Sequence, residues 1–117
     1  MPGDAEQTVR RFWDIQNDRD YTRLVRLFAE DAVLDDPVYG AFHGRDAIAG
    51  FMAKMNQEMA GQGIHFTLVE LAGDDHVAWA QWMAHTPAGD REGVGIYRVR
   101  DGLLTYYRDY MNTSPAT

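Results

Sequence analysis

Cysteine is absent from this sequence, and serine and lysine occur once each, as Ser114 and Lys54. Without cysteine the chain has no disulfide, no thiolate zinc site and no cysteine nucleophile. A single serine close to the last residue fits a Ser-His-Asp triad poorly, and a single lysine leaves one candidate for Schiff-base chemistry. An enzyme built from this chain would therefore work with Asp, Glu, His, Tyr, Arg and water.

Long apolar runs and positive charge are also scarce. No run approaches the roughly 18 residues of a membrane span, and the first residues, MPGDAEQ, lack the basic and apolar stretches of a signal peptide. We therefore expect a cytoplasmic protein. Eleven Lys and Arg against eighteen Asp and Glu give a net charge of −7, which argues against a protein that binds the phosphate backbone of nucleic acids.

The length of 117 residues is that of one domain, since single domains commonly span roughly 100–200 residues. We find no internal repeat, low-complexity tract or linker, and we predict a single domain over residues 1–117. The four histidines have no metal-ligand spacing, so we expect no metal. Gly93 and Gly95 do not form a phosphate-binding loop, because no helix is predicted after them. We expect no cofactor.

Apolar spacing predicts the order of helices and strands. Apolar residues that recur every three or four positions predict helices over 5–17, 22–29 and 46–61. Alternating patterns between turn residues predict strands over 32–36, 64–71, 76–86, 93–100 and 103–111. Residues 39–44 are predicted to form a loop, 17–20 a polar break and 113–117 a tail.

This order predicts an α+β protein, since helices come first and an antiparallel sheet comes later. We expect three N-terminal helices to pack on a curved, mostly antiparallel sheet. The sheet would wrap over the helices and form a cone with an apolar interior. Such an interior is a natural pocket for a small molecule.

Three segments resemble a known family. They are LFAEDAVLDDP at 27–37, GRDAI at 44–48 and GLLTYYRDY at 102–110. These segments resemble the NTF2-like superfamily and within it the SnoaL-like branch, whose relatives include ketosteroid isomerases and limonene-epoxide hydrolases. The resemblance covers nearly the whole chain and implies the cone-shaped α+β fold. It also implies a homodimer formed through the convex face of the sheet.

Asp36 is the first candidate catalytic residue. It precedes Pro37 at the end of a predicted strand, where only one of the neighbours Asp35 and Asp36 can face inward. In the ketosteroid isomerases that this chain resembles, an Asp directly before this proline shuttles the proton, and the resemblance implies the same role for Asp36. The alternative is a residue that only initiates the Asp-Pro turn.

Asp109 is the second candidate. Strand alternation places Tyr107, Asp109 and Met111 on one face, and the pattern alone does not say which face is concave. In limonene-epoxide hydrolases the Asp of a similar Trp-Arg-Asp-Tyr segment faces the pocket and helps to activate water. The resemblance therefore implies that Asp109 faces inward. The alternative is an ion pair with a neighbouring strand.

The sequence also departs from both groups of relatives. The helical Tyr of the isomerases corresponds to Phe12, and their protonated Asp falls near Gly95, so both donors to an oxyanion are missing. The Arg and second Asp of the hydrolases correspond to Gln81 and Met83. We therefore expect neither a faithful ketosteroid isomerase nor a faithful limonene-type hydrolase.

The same correspondence places one side of strand 76–86 in the pocket. Trp79 and Gln81 would face inward as hydrogen-bond donors, with the titratable His85 close to the rim. Core packing is the alternative for Trp79, a satisfied core amide for Gln81 and a rim position for His85. The opposite residues, among them Trp82, would form the dimer surface. The other predicted substrate-binding residues are Phe12, Trp13, Phe51, Met55, Tyr97 and Tyr107.

Three functions follow from these residues. The first is an enzyme in which Asp36 is the general base and Asp109 a second acid or base, acting on a small apolar oxygenated substrate. Burial among aromatic residues would raise the pKa of such a carboxyl towards neutrality. Isomerisation, cyclisation and hydration stay open. The second is a binding module without catalysis, and the third is a dimerisation domain. Catalysis requires both carboxylates on one cavity wall, near enough to share one substrate.

Overall fold

The computed structural model of the protein describes residues 3–17 and 21–111. The predicted tail and all but the first residue of the polar break lie outside the described residues. Along the chain the elements are α1 (Asp4–Asn17), α2 (Tyr21–Val25), β1 (Phe28–Asp36), β2 (Gly40–His43), α3 (Arg45–Gln62), β3 (His65–Gly73), β4 (Val77–Thr86), β5 (Gly89–Arg100) and β6 (Leu103–Met111). No helix in the described ranges is long and apolar enough to cross a membrane.

The strands form one curved sheet in the order β2-β1-β6-β5-β4-β3. Strands β1 and β6 are parallel, and the other neighbours are antiparallel. The predicted α+β class and mostly antiparallel sheet are therefore confirmed. The prediction of three N-terminal helices is not confirmed, because α2 has only five residues and α3 follows two strands.

Helix α1 supplies the centre of the core. Its residue Phe12 is fully buried, and its ring meets Phe28, Tyr97 and Tyr107 edge-on, at centroid distances of 6.1, 5.6 and 5.5 Å. Edge-to-face contacts of this kind add about 0.5–1.5 kcal/mol each to the free energy of burial. One helical residue thus holds α1 against three strands of the sheet.

Two segments differ from the predicted secondary structure. The predicted helix 22–29 ends at Val25, and Phe28 already belongs to β1, where it is buried and pairs with Leu104 of β6. Pairing with a neighbouring strand outweighs the local helical spacing here. The predicted loop 39–44 contains β2, which pairs with β1 through a hairpin.

The predicted orientation of β4 is wrong. Its buried residues are Ala78, Ala80, Trp82 and Ala84, and the residues that alternate with them lie on the opposite, outer face. A shift of one residue in a strand moves every side chain to the other face. The small alanines leave room for α1, which packs on this part of the sheet. Trp82 therefore belongs to the interior, and Trp79, Gln81, Met83 and His85 belong to the outer face.

Gly93 of β5 makes room for the Trp82 ring. The two residues pair across β4 and β5, and a Cβ atom at position 93 would lie 2.3 Å from Cζ2 of Trp82. The backbone of Gly93 does not have a positive φ, so any residue could adopt its conformation. Glycine is required at position 93 because the Trp82 ring occupies the space of a side chain there, and not because of the backbone conformation.

We expect Gly93→Ala to lower the free energy of unfolding by about 1–3 kcal/mol, because the added methyl group would displace the Trp82 ring. Gly50→Ala is the control, since position 50 lies in α3 with open space around it. This control should raise the stability by about 0.5–1 kcal/mol, because Ala favours helix. Urea denaturation measures both variants. A Gly93→Ala variant as stable as the parent would contradict this account.

Candidate active site

An apolar cavity of about 190 Å³ lies between α1, α3 and the concave face of the sheet. Five of the nine predicted substrate-binding residues line it, namely Phe12, Trp13, Phe51, Met55 and Tyr107. Pro37, Val38 and Tyr39 line it from the β1–β2 turn. Among these, Val38 and Tyr39 are exposed over 61% and 52% of their surface, so the cavity has an apolar rim. We call this space the apolar cavity.

Asp109 stands in the wall of the apolar cavity. Its Oδ2 accepts a hydrogen bond from the hydroxyl of Tyr107 at 2.9 Å, and its Oδ1 accepts one from Nε1 of Trp82 at 3.3 Å. Burial raises the pKa of Asp109 to about 7, because a charge is poorly solvated there. The two hydrogen bonds act in the opposite direction, and the nearby charge of Asp36 adds to the rise. The carboxyl therefore changes its protonation state close to neutral pH.

Three buried aromatic residues with polar atoms, Trp13, Tyr97 and Tyr107, pack next to Asp109. Nε1 of Trp13 donates to the hydroxyl of Tyr97 at 3.2 Å, and the rings of Tyr97 and Tyr107 pack with their centroids 4.5 Å apart. Burial raises the pKa of both tyrosines, so both stay protonated. Tyr107 lines the apolar cavity, whereas Tyr97 is fully buried behind it and packs against the Tyr107 ring.

The absence of a side chain at Gly95 leaves space for this arrangement. Gly95 pairs with Asp109 across β5 and β6. A Cβ atom at position 95 would lie 2.8 Å from the hydroxyl oxygen of Tyr97 and 3.0 Å from Oδ1 of Asp109. Gly95 is the position at which this sequence lacks the donor Asp of the ketosteroid isomerases. The carboxyl of Asp109 lies directly beside it.

Asp36 lies in the same cavity as Asp109. In the parallel pair of β1 and β6, Leu34 pairs with Tyr107 and Asp35 with Arg108, so Asp36 and Asp109 are the next residues along both strands. The condition that the two carboxylates share one cavity is met. Asp35 points to the outer face, where it lies 3.8 Å from Arg108.

The Asp36 carboxylate is fixed by the turn that follows it. Its Oδ2 accepts hydrogen bonds from the backbone N–H groups of Val38 and Tyr39, at 2.8 and 2.9 Å. This geometry is the turn-initiating role that the sequence offered as the alternative to catalysis. The two roles are compatible, because the turn uses Oδ2 and leaves Oδ1 as the oxygen that can take a proton.

The other three predicted substrate-binding residues do not line the apolar cavity. Trp79, Gln81 and His85 lie on the outer face of β4, so their predicted inward placement is wrong. On that face His85 contacts Thr67 at 2.8 Å and Asp90 at 3.1 Å. Within the described ranges, no three His, Asp or Glu side chains are grouped so that they could hold a metal ion.

Trp82 is the site residue that sequence reasoning missed. The signal that could have found it is the turn between β4 and β5, where Thr86 pairs with Gly89 around a two-residue turn. Counting outward from that turn pairs Trp82 with Gly93. A bulky indole opposite a glycine indicates a ring that folds over the neighbouring strand.

The family model of the SnoaL-like domain matches residues 9–107. The chain belongs to the SnoaL-like family. The match runs from α1 into β6 of this SnoaL-like domain and includes Asp36, but it ends two residues before Asp109. No curated protein matches the sequence.

Solved structures share the fold of this SnoaL-like domain. A Kribbella flavida protein provisionally named as a ketosteroid isomerase is 23% identical, with a TM-score of 0.81 over 97% of this chain and 82% of that one. An LEH-like epoxide hydrolase of M. tuberculosis is 18% identical, with a TM-score of 0.71 over 93% and 83%. A Sinorhizobium meliloti protein provisionally named as a polyketide cyclase is 18% identical, with a TM-score of 0.76 over 89% and 94%. At these identities the likeness establishes the fold alone.

The raised pKa of Asp109 predicts that the domain loses stability as the pH rises. The folded chain keeps this proton up to about pH 7, whereas the unfolded chain releases it near the ordinary pKa of 3.8. Between these values the folded state binds more protons, so the free energy of unfolding falls with increasing pH. Asp109→Asn removes this term and should be more stable than the parent at pH 8, by on the order of 3 kcal/mol.

Urea denaturation at pH 4, 6 and 8 measures this effect. The advantage of Asp109→Asn should shrink towards pH 4, where the parent is protonated as well. Asp14→Asn is the control for the loss of one carboxyl group, because Asp14 is exposed on α1 and does not line the apolar cavity. Parallel curves for Asp109→Asn and the parent would refute the prediction.

Proposed function

We propose that this SnoaL-like domain is a cofactor-independent enzyme that moves protons on a small, apolar, oxygen-bearing substrate, as an isomerase, cyclase or hydrolase. The observation that carries the proposal is the Asp109 carboxyl, whose pKa is raised to about 7 at the wall of an apolar cavity that also contains Asp36. A group that titrates near the working pH can both give and take a proton.

The two carboxyl groups have different roles in this proposal. Asp36, oriented by the N–H groups of Val38 and Tyr39, is the general base through Oδ1. It removes a proton beside a substrate carbonyl, or one from water. Protonated Asp109 donates to the substrate oxygen as negative charge develops there. Two carboxylates in one cavity disfavour double ionisation, which keeps one of them neutral.

The donor set supports a reaction related to that of the relatives but with different groups. Phe12 has no hydroxyl and Gly95 no side chain, so Asp109, Tyr107 and the indole of Trp82 are the polar groups on this wall. The names of the three structural neighbours, an isomerase, an epoxide hydrolase and a polyketide cyclase, span the reaction types in the proposal.

Two small probes separate the reaction types. Cyclohex-3-en-1-one reports isomerisation through the absorbance of the conjugated product, and cyclohexene oxide reports hydrolysis. We expect turnover of at least one probe and a loss of about 10²-fold or more in kcat for Asp36→Asn, because a general base contributes 10²–10⁴. Asp35→Asn is the matched control, since its side chain lies on the outer face.

Two outcomes would count against the catalytic proposal. Equal turnover by Asp36→Asn and the parent would remove Asp36 as the base. Binding of both probes without any turnover would favour the alternative, a small-molecule-binding module of the same fold.

We also propose a homodimer through the outer face of the sheet. This face carries Trp79, Met83 and Tyr110, the last of them 50% exposed, in place of the buried Trp82 that the sequence suggested. Trp79→Glu should convert a dimer into a monomer in size-exclusion chromatography with light scattering, whereas Ala53→Glu, on exposed α3, should not. A monomeric parent protein would refute the proposal.

A further inference from the structure

A second cavity of about 290 Å³ adjoins the apolar cavity, between the ends of α1 and α3 and the start of β3. Gln16, Asn56, Met59 and Phe66 line both cavities, so the two adjoin at these residues. The second cavity is the more polar one. We call it the polar chamber.

Side-chain amides give the polar chamber its character. Gln16 and Asn17 come from the end of α1, and Asn56 faces them from α3. Each amide can donate and accept hydrogen bonds. Gln16 and Asn56 stand where the two cavities meet, so they contact whatever passes from one to the other.

Charge restricts what the apolar cavity can accept. Among the described residues that line the two cavities there is no Lys or Arg, whereas Asp36 and Asp109 line the apolar cavity. An anionic group in the apolar cavity would meet Asp36 and Asp109 without a cationic partner, and burying an unpaired charge is costly. The described lining of the polar chamber contains His65 and no Asp or Glu. Amides of both hydrogen-bonding senses suit a hydroxyl or a carbonyl group instead.

Volume restricts the apolar part of the ligand. A cavity of about 150 Å³ holds one benzene molecule. The apolar cavity, at about 190 Å³, is therefore filled by a single ring or a branched chain of similar size. A longer substrate has to extend, and the polar chamber is the adjoining space.

We infer that the substrate is an elongated molecule with a single uncharged, apolar ring or branched group beside Asp36 and Asp109 and a hydroxyl- or carbonyl-bearing end in the polar chamber. This inference rests on the proposed function for the place of reaction. Gln16 and Asn56 select the polar end. The apolar end of the molecule then lies next to Asp36 and Asp109.

Two probes with one skeleton test this inference: pentylbenzene and 5-phenylpentan-1-ol. Quenching of the fluorescence of Trp13 and Trp82, which both line the apolar cavity, gives the Kd of each. For Asn56→Leu we expect the Kd of the alcohol to rise roughly five- to tenfold, the loss of about one hydrogen bond. The Kd of pentylbenzene should stay the same or fall.

Matched variants keep the test independent of folding. Gln57→Leu is the control, because Gln57 is the exposed neighbour of Asn56 and lines neither cavity. Gln16→Leu is the second variant and should repeat the effect of Asn56→Leu. The inference is overturned if the alcohol and the hydrocarbon respond alike to both variants.

Binding and turnover fail separately in this design, because Kd is measured without any reaction. A domain that selects the alcohol through Asn56 but converts neither cyclohex-3-en-1-one nor cyclohexene oxide supports the inference about the polar end and contradicts the proposed catalysis. Turnover without selection of the alcohol contradicts the inference and leaves the proposed catalysis in place.

Discussion

The removal of the Asp109 carboxyl from water constrains the whole inner face of the sheet. A carboxyl in such a place needs hydrogen-bond donors, and Tyr107 and Trp82 supply them. Trp82 reaches the carboxyl because its ring lies over Gly93, and the carboxyl itself fits because Gly95 has no side chain. The two glycines on β5 leave the space, and the donors on β4 and β6 supply the hydrogen bonds, that a carboxyl in this position needs.

The same removal from water connects stability with chemistry. The environment that makes the ionised form of Asp109 expensive is what holds its proton near neutral pH. A better-solvated carboxyl would make the domain more stable at high pH, but its pKa would lie further from neutral pH, where it would exchange protons less effectively. Such a trade-off between stability and activity is typical of functional sites.

Much of this architecture could be predicted from the sequence, and the error on β4 has a physical cause. The α+β class, four later strands and the inward face of Tyr107 and Asp109 follow from alternation and from the resemblance to the family. Regular counting from the turn at 101–102 would pair Asp109 with Val94 and bring Gln81 to the inner face. An irregularity in β6 between Leu104 and Tyr106 shifts the register, so Asp109 pairs with Gly95 instead. The inward face of β4 was predicted from the correspondence with the limonene-epoxide hydrolases, and a bulge leaves no clear signature in the residues that would have corrected it.

The parallel pairing of β1 with β6 has a consequence for how the domain folds. Strands β3 to β6 are joined by hairpins and can form through contacts that are local in the chain. The pair of β1 and β6 closes a loop that spans most of the sequence, and such closures are entropically costly and slow. Asp36 and Asp109 meet only across that pair. A folding intermediate with intact hairpins from β3 to β6 would therefore contain Asp109 with its donors but no assembled site. The appearance of activity during refolding would report when β1 pairs with β6.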